Sequence, residues 1–177
     1  MPATPSSLSD LVLSRTTLDR AGHRRSDVDL FANLFASPDT RVIDLYGEST
    51  FVHHDTLVLR APEPADADRF AVFLGVDRGT DIVALDRIGE QTPQDAASLR
   101  AVGMDLNVHD VGIFTTALGI MNWQRTQGFC PSCGASTEVV EAGWGRRCTN
   151  DGLNQYPRTD AAVIMAVIDA DDRLLLA

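Results

Sequence analysis

Lysine is absent from this 177-residue chain, in which all 15 basic residues are arginine and face 25 acidic ones. The net charge is −10 and the sequence pI about 4.6. A protein that holds nucleic acid by bulk neutralisation of the backbone would need a basic stripe, and none is visible along the sequence. The arginine bias itself is accounted for by GC-rich coding. Cysteine is scarce too: there are three, an odd number, all between positions 130 and 148, which excludes a disulfide scaffold. No apolar run approaches the roughly 18 to 20 residues needed to cross a bilayer. The opening residues MPATPSSLSD carry neither a basic nor an apolar signal region. These absences point to a cytoplasmic chain with no membrane partner.

What is present is enough apolar sequence, 44% of residues, for the core of one ordinary domain or two small ones. Leu8, Leu11, Val12 and Leu13 give a weakly apolar start. Val28, Phe31, Leu34 and Phe35 fall at helical spacing after Ser26-Asp27, and Ser37-Pro38 ends that helix. Strand-like runs follow at 41–46, 56–59, 70–76 and 81–85, separated by Gly, Pro and Asp. The gaps are too short for helical crossovers, so the pairing is expected to be mainly antiparallel. Thr92-Pro93 predicts a helix running to about Val102, with proline at its first position. A second helix is predicted from about Asp110 to Arg125, with Val111, Phe114, Ala117, Leu118 and Met121 on one face. Near the end, Ala162 to Ile168 reads as a strand buried on both faces, Asp169 to Asp172 as a turn, and Arg173 to Ala177 as the start of a return strand. A lone hairpin has no independent stability, which predicts that this is the first hairpin of a further domain and the chain a fragment.

The cysteines carry the chemistry. Cys130-Pro-Ser-Cys133 is a C-x-x-C knuckle, and Cys148-Thr-Asn-Asp151 repeats the spacing with aspartate in the closing place. Two such turns offer four ligands to one tetrahedral zinc ion. Cys130, Cys133 and Cys148 supply thiolates, and Asp151 is the candidate fourth ligand. A carboxylate makes a harder site, so weaker zinc retention is expected. The segment around these residues is rich in Gly, Ser and Thr and builds little core. Its zinc is therefore read as structural, supplying folding free energy rather than catalysis.

From about Phe70 onward a series of segments stands in order: Phe73-Leu-Gly-Val-Asp77, Ser98-Leu-Arg100, Ala117-Leu-Gly-Ile-Met-Asn-Trp123, Phe129-Cys-Pro-Ser-Cys-Gly134, Gly143-Trp-Gly-Arg-Arg-Cys148 and Tyr156-Pro-Arg-Thr-Asp160. In this order they resemble the NADH pyrophosphatase branch of the Nudix hydrolases. The resemblance implies an α+β fold in three parts. Residues 1–125 would form a mainly antiparallel N-terminal domain with helices, 126–156 a zinc ribbon, and 157–177 the start of an incomplete Nudix α/β/α domain. It implies Mg²⁺- or Mn²⁺-assisted hydrolysis of NAD(H) to AMP and nicotinamide mononucleotide, removal of NAD caps from RNA, and a homodimer when intact. By position, Tyr156 and Arg100 match residues near the substrate. Trp123 and Trp144 are expected to pack around the ribbon, and Arg158 and Asp160 to pair at a domain junction.

Three departures stand out. Ala161 replaces a common proline, Asp151 replaces the last zinc cysteine, and the glutamate signature G-x5-E-x7-R-E-x-x-E-E-x-G occurs nowhere in the chain. Those glutamates hold the catalytic metals, so the 177 residues alone are expected to be inactive. The alternative is a stand-alone zinc-ribbon module that binds a protein or RNA. The acidic balance and the half-finished hairpin count against it.

Overall fold

The structure is a computed structural model that describes residues 16–160 and 165–175. The apolar start at Leu8 to Leu13, residues 162–164 of the expected strand and the last two residues of its return partner lie outside the described residues.

A short helix, α1 (Leu30–Ala36), precedes strands β1 (Arg41–Leu45), β2 (Ser49–His53), β3 (Thr56–Leu57), β4 (Ala71–Asp77), β5 (Thr80–Asp86) and β6 (Ala96–Ser98). A four-residue helix α2 (Leu99–Val102) and the long helix α3 (Val108–Thr126) follow, and then β7 (Thr137–Val140), β8 (Gly145–Cys148) and β9 (Asn154–Gln155). Three three-stranded sheets result, ordered β1-β5-β4, β3-β2-β6 and β7-β8-β9.

The first sheet is built on the β4–β5 hairpin. Its turn residues Arg78 and Gly79 both have positive φ, the condition for the tight turn that matches strand twist. Neighbouring strands pair antiparallel as expected, but β1 lies parallel to β5, from Arg41 opposite Ile82 to Leu45 opposite Asp86. The crossover is there; it consists of β2, β3 and β4 rather than a helix, which is why gap length alone did not reveal it.

Both faces of this sheet are covered, which explains why its strands are apolar at successive positions. Ile43, Val72, Leu74 and Ile82 pack with Val111, Phe114, Ala117 and Met121 of α3. Val42, Phe73, Val83 and Leu85 pack with Leu30 and Leu34 of α1. The predicted face of α3 is therefore the buried one, although Leu118 is only partly buried. In α1 the buried pair is Leu30 and Leu34; Phe31 and Phe35 stack at 5.9 Å and are partly buried. Val28 lies ahead of the helix and is exposed.

Other local expectations are corrected. Strand β2 was not anticipated. The helix expected from Thr92 shrinks to Leu99–Val102, because Ala96 to Ser98 extends to pair with β2 and Ser98, not Pro93, caps the helix. The α3 cap is Asn107, whose Oδ1 accepts from the N–H groups of His109 and Asp110. Asp110 in the first turn instead accepts from the Leu57 N–H at 2.7 Å, tying the helix to β3.

One ionic cluster holds the far end of the first sheet. Arg60 bridges Asp44 and Asp66 with four hydrogen bonds of 2.6–2.9 Å, and Arg87 touches the same two carboxylates. Asp66 is fully buried. Burial alone would raise its pKa; the Arg60 bonds, the Glu63 N–H and the charge of Arg87 outweigh this and hold it below the ordinary value.

Candidate functional site

The two cysteine turns are built alike. Gly134 donates its N–H to the Cys130 carbonyl at 2.9 Å, and Gly152 donates to the Cys148 carbonyl at 3.1 Å. Cys130 in turn donates to the Ala135 carbonyl, and Cys148 to that of Leu153, at 2.7 and 3.0 Å. Both glycines have φ near +70°, at +74° and +72°, where a side chain would be strained. Cys133 and Asp151 stand at the same place within these turns, three residues after the first cysteine.

The arrangement brings all four predicted ligands together. One ligand atom from each of Cys130, Cys133, Cys148 and Asp151 lies within 4.8 Å of the others. The Cys133 and Cys148 sulfurs are 3.5 Å apart, and Cys130 Sγ is 3.8 Å from Asp151 Oδ2. A tetrahedral ion with zinc–sulfur bonds of about 2.3 Å requires sulfur–sulfur edges of about 3.8 Å, so the donor set fits zinc. Backbone N–H groups of Asn150 and Asp151 point at the Cys148 sulfur at 3.4 and 3.5 Å, the pattern that would neutralise a thiolate. Without an ion, the Cys133 backbone N–H leads in lowering the Cys130 thiol. At Cys148 the Asp151 N–H lowers the pKa, but burial and the Asp151 carboxylate win and push it up to about 11. Asp151 itself is lowered, first by its contact with Cys148 and then by the Leu153 N–H.

The ribbon is joined to the first sheet through Trp144. This residue is buried in the α3-side core, and its indole N–H donates to the Phe73 carbonyl at 2.6 Å. It follows a left-handed turn in which Glu141, Ala142 and Gly143 have φ of 52°, 49° and 94°. Only glycine fits at the last of these, since a Cβ on Gly143 would lie 2.7 Å from a Val72 methyl. Gln124 of α3 donates to the Gly143 carbonyl at 2.7 Å, and Arg146 donates to the Gln124 side chain at 2.7 Å. The expectation that Trp144 packs around the ribbon thus understates it, because its ring is part of the larger core. Trp123 is half-buried on the same side of α3.

A cleft of about 760 Å³ opens beside this junction. Arg20, Arg25, Trp123, Glu141, Trp144, Tyr156 and Arg158 are among its walls. Tyr156 is half-exposed, and its hydroxyl donates to Glu141 at 2.7 Å, which raises its pKa above the ordinary value. Arg100 lies elsewhere, in a second hollow of about 400 Å³ formed with Glu48, Leu99, Met104 and Leu118. The structure therefore does not bring Arg100 and Tyr156 into one cleft. Arg158 and Asp160 do pair, at 2.9 Å and in full solvent. Arg20 and Arg25 escaped the sequence reading; only the folded chain carries them to Trp144, where Arg25 lies 3.9 Å and Arg20 5.3 Å from the ring centre.

Comparison with known proteins agrees with this geometry. The model of the NADH pyrophosphatase-like rudimentary NUDIX domain matches residues 39–123, and that of the NADH pyrophosphatase zinc ribbon domain matches residues 125–156. The chain belongs to the NADH pyrophosphatase family. A Mycobacterium tuberculosis protein named NAD-capped RNA hydrolase NudC is 31% identical over 173 residues, covering 94% of this chain and 55% of the relative. Human NAD-capped RNA hydrolase NUDT12 is 34% identical over 76 residues, and Nudix hydrolase 19, chloroplastic, of Arabidopsis thaliana 38% over 71. Each of those matches covers 38% of this chain and 16% of the relative. The chain spans about half the length of the NudC relatives. As a member of this family it is an α+β chain carrying a rudimentary NUDIX-like domain and a zinc ribbon with a clustered ligand set. No helix among the described residues is long and apolar enough to cross a membrane.

Proposed function

We propose that this chain is the non-catalytic portion of a cytoplasmic Nudix hydrolase that cleaves the pyrophosphate of NAD(H), free or as the cap of an RNA, to AMP and nicotinamide mononucleotide. The observation that carries the reading is the pair of matching turns that gathers Cys130, Cys133, Cys148 and Asp151, in a chain whose NudC relatives are named for hydrolysis of NAD-capped RNA. In this reading residues 1–125 form the rudimentary domain, 126–156 the ribbon, and 157–177 the first hairpin of the hydrolase domain. The described part of that hairpin is consistent with it: Leu175 donates to the Val167 carbonyl at 2.9 Å around the Asp169–Asp172 turn.

Zinc would be held by the three thiolates and Asp151, and its contribution would be to fold the ribbon and so fix Trp144 and Tyr156. Mg²⁺ or Mn²⁺ would belong to the glutamates of the hydrolase domain, which this sequence lacks. Tyr156 is assigned to the nucleotide and Arg100 to the substrate's surroundings. The intact protein is assigned a homodimer.

A pair of hydrolysis assays tests the reading. With Mg²⁺ or Mn²⁺, the 177 residues alone are expected to release no AMP from NADH or NAD-capped RNA. The reading frame continued past Ala177 is expected to encode the glutamate signature and to release AMP and nicotinamide mononucleotide. AMP release by the 177 residues, or a continued frame that has no signature or no activity, would sink it.

A further inference from the structure

The cleft beside Trp144 has a charge that the rest of the chain does not. Three guanidiniums, those of Arg20, Arg25 and Arg158, line it against one carboxylate, Glu141, in a protein of net charge −10. That carboxylate already accepts from the Tyr156 hydroxyl. Arg20 and Arg25 are drawn over the same indole ring, so two like charges share one face of Trp144. Such a pair is unfavourable until an anion joins it. Two donors on the cleft walls are also buried without a partner, the Arg25 Nε–H and the Thr115 hydroxyl. Unpaired buried donors of this kind match a ligand rich in acceptor oxygens. Beside them, the half-exposed rings of Trp123 and Tyr156 are free to stack on unpaired bases.

We propose that this cleft binds the phosphates of a single-stranded ribonucleotide chain, with Arg20, Arg25 and Arg158 on the phosphates and Tyr156 and Trp123 on the bases. A duplex is disfavoured because its bases are already stacked. The choice of RNA as the strand rests on the capped-RNA reading above; the anion site itself rests on the geometry.

The experiment is fluorescence anisotropy of the full 177-residue chain with a labelled, uncapped, 5′-phosphorylated single strand of about eight nucleotides. Saturable binding is expected, with a log–log salt slope of about −2 for three contacts at about 0.7 each. Arg158→Gln, at an exposed position that leaves folding intact, and Arg25→Gln are each expected to weaken binding about fivefold and reduce the slope by about 0.7. Arg78→Gln, in the exposed β4–β5 turn, is expected to change neither. Absence of saturable binding at low salt, or equal affinity of the Arg158→Gln chain, would overturn the proposal. So would AMP or inorganic phosphate competing as strongly as the strand, which would mark a small-anion site instead. The probe carries no cap and no bond is cleaved, so a negative result here leaves the hydrolysis assays untouched. Failure of those assays would likewise leave this measurement standing.

Discussion

Cys133 and Asp151 occupy the same position in two copies of one turn, each three residues after a cysteine and one before a glycine of positive φ. The second turn keeps every backbone bond of the first and changes only the ligand. The aspartate is therefore a substitution within a preserved zinc knuckle, and the backbone around it is already shaped for a thiolate.

The first prediction follows from that equivalence. Metal analysis should give near one zinc per chain, and competition with a chromophoric chelator should show retention about tenfold tighter in Asp151→Cys and weaker in Asp151→Ala. Equal retention in all three chains would remove Asp151 from the ligand set.

Trp144→Phe should cost about 1–3 kcal/mol in urea unfolding. It keeps most of the ring but leaves the buried Phe73 carbonyl without its 2.6 Å donor. A loss under about 0.5 kcal/mol would mean that the carbonyl finds another partner.

Gly75→Ala should destabilise the chain by at least about 2 kcal/mol. The position has φ +137°, and a Cβ would stand 2.1 Å from the Asp19 carbonyl oxygen. That carbonyl accepts from the Val76 N–H at 2.7 Å, so the substitution should also loosen the segment around Asp19, which hydrogen exchange at Val76 would report.

Asp66 predicts an acid-side dependence. Its folded pKa is depressed, so its stabilisation is fully present above the unfolded carboxylate value of about 3.9 and is lost as the pH falls through the lower, folded value. Asp66→Ala should cost about 3–5 kcal/mol at neutral pH, because Arg60 and Arg87 lose a buried partner. Its stability should also fall less steeply below pH 4 than that of the parent chain; an unchanged acid limb would contradict the assignment.

Glu141→Gln should lower the pKa of Tyr156, because the hydrogen bond to the Glu141 carboxylate is the leading cause of its elevation. Tyrosinate absorbance, followed in a Tyr46→Phe background to leave one tyrosine, would detect the shift. An unmoved titration would show that Glu141 does not hold the ring.

Much of the ribbon was legible because metal ligation depends on local spacing, which the sequence displays directly. The strands 41–46, 70–76 and 81–85 were legible for a related reason: apolar β-formers bounded by Gly and Asp leave few alternatives. Strand β6 was not, since Pro93 resembles a helix start and only pairing with Ser49 to Phe51 of β2 draws Ala96 to Ser98 straight. The parallel partnership of β1 and β5 was hidden for the same reason. Arg20 and Arg25 were the largest omission. Their residue types say only that they are charged, and it is the burial of Trp144 that gives them a shared place.

Trp144 has one further consequence. The side chain is contributed by the ribbon but lies among Val72, Phe114 and Met121, so the boundary seen between the two family matches is crossed by a core residue. The two segments should then melt in one transition rather than two, and withdrawing zinc should lower the melting temperature of the α3–sheet core along with that of the ribbon. The metal's influence on stability would reach well past its ligands.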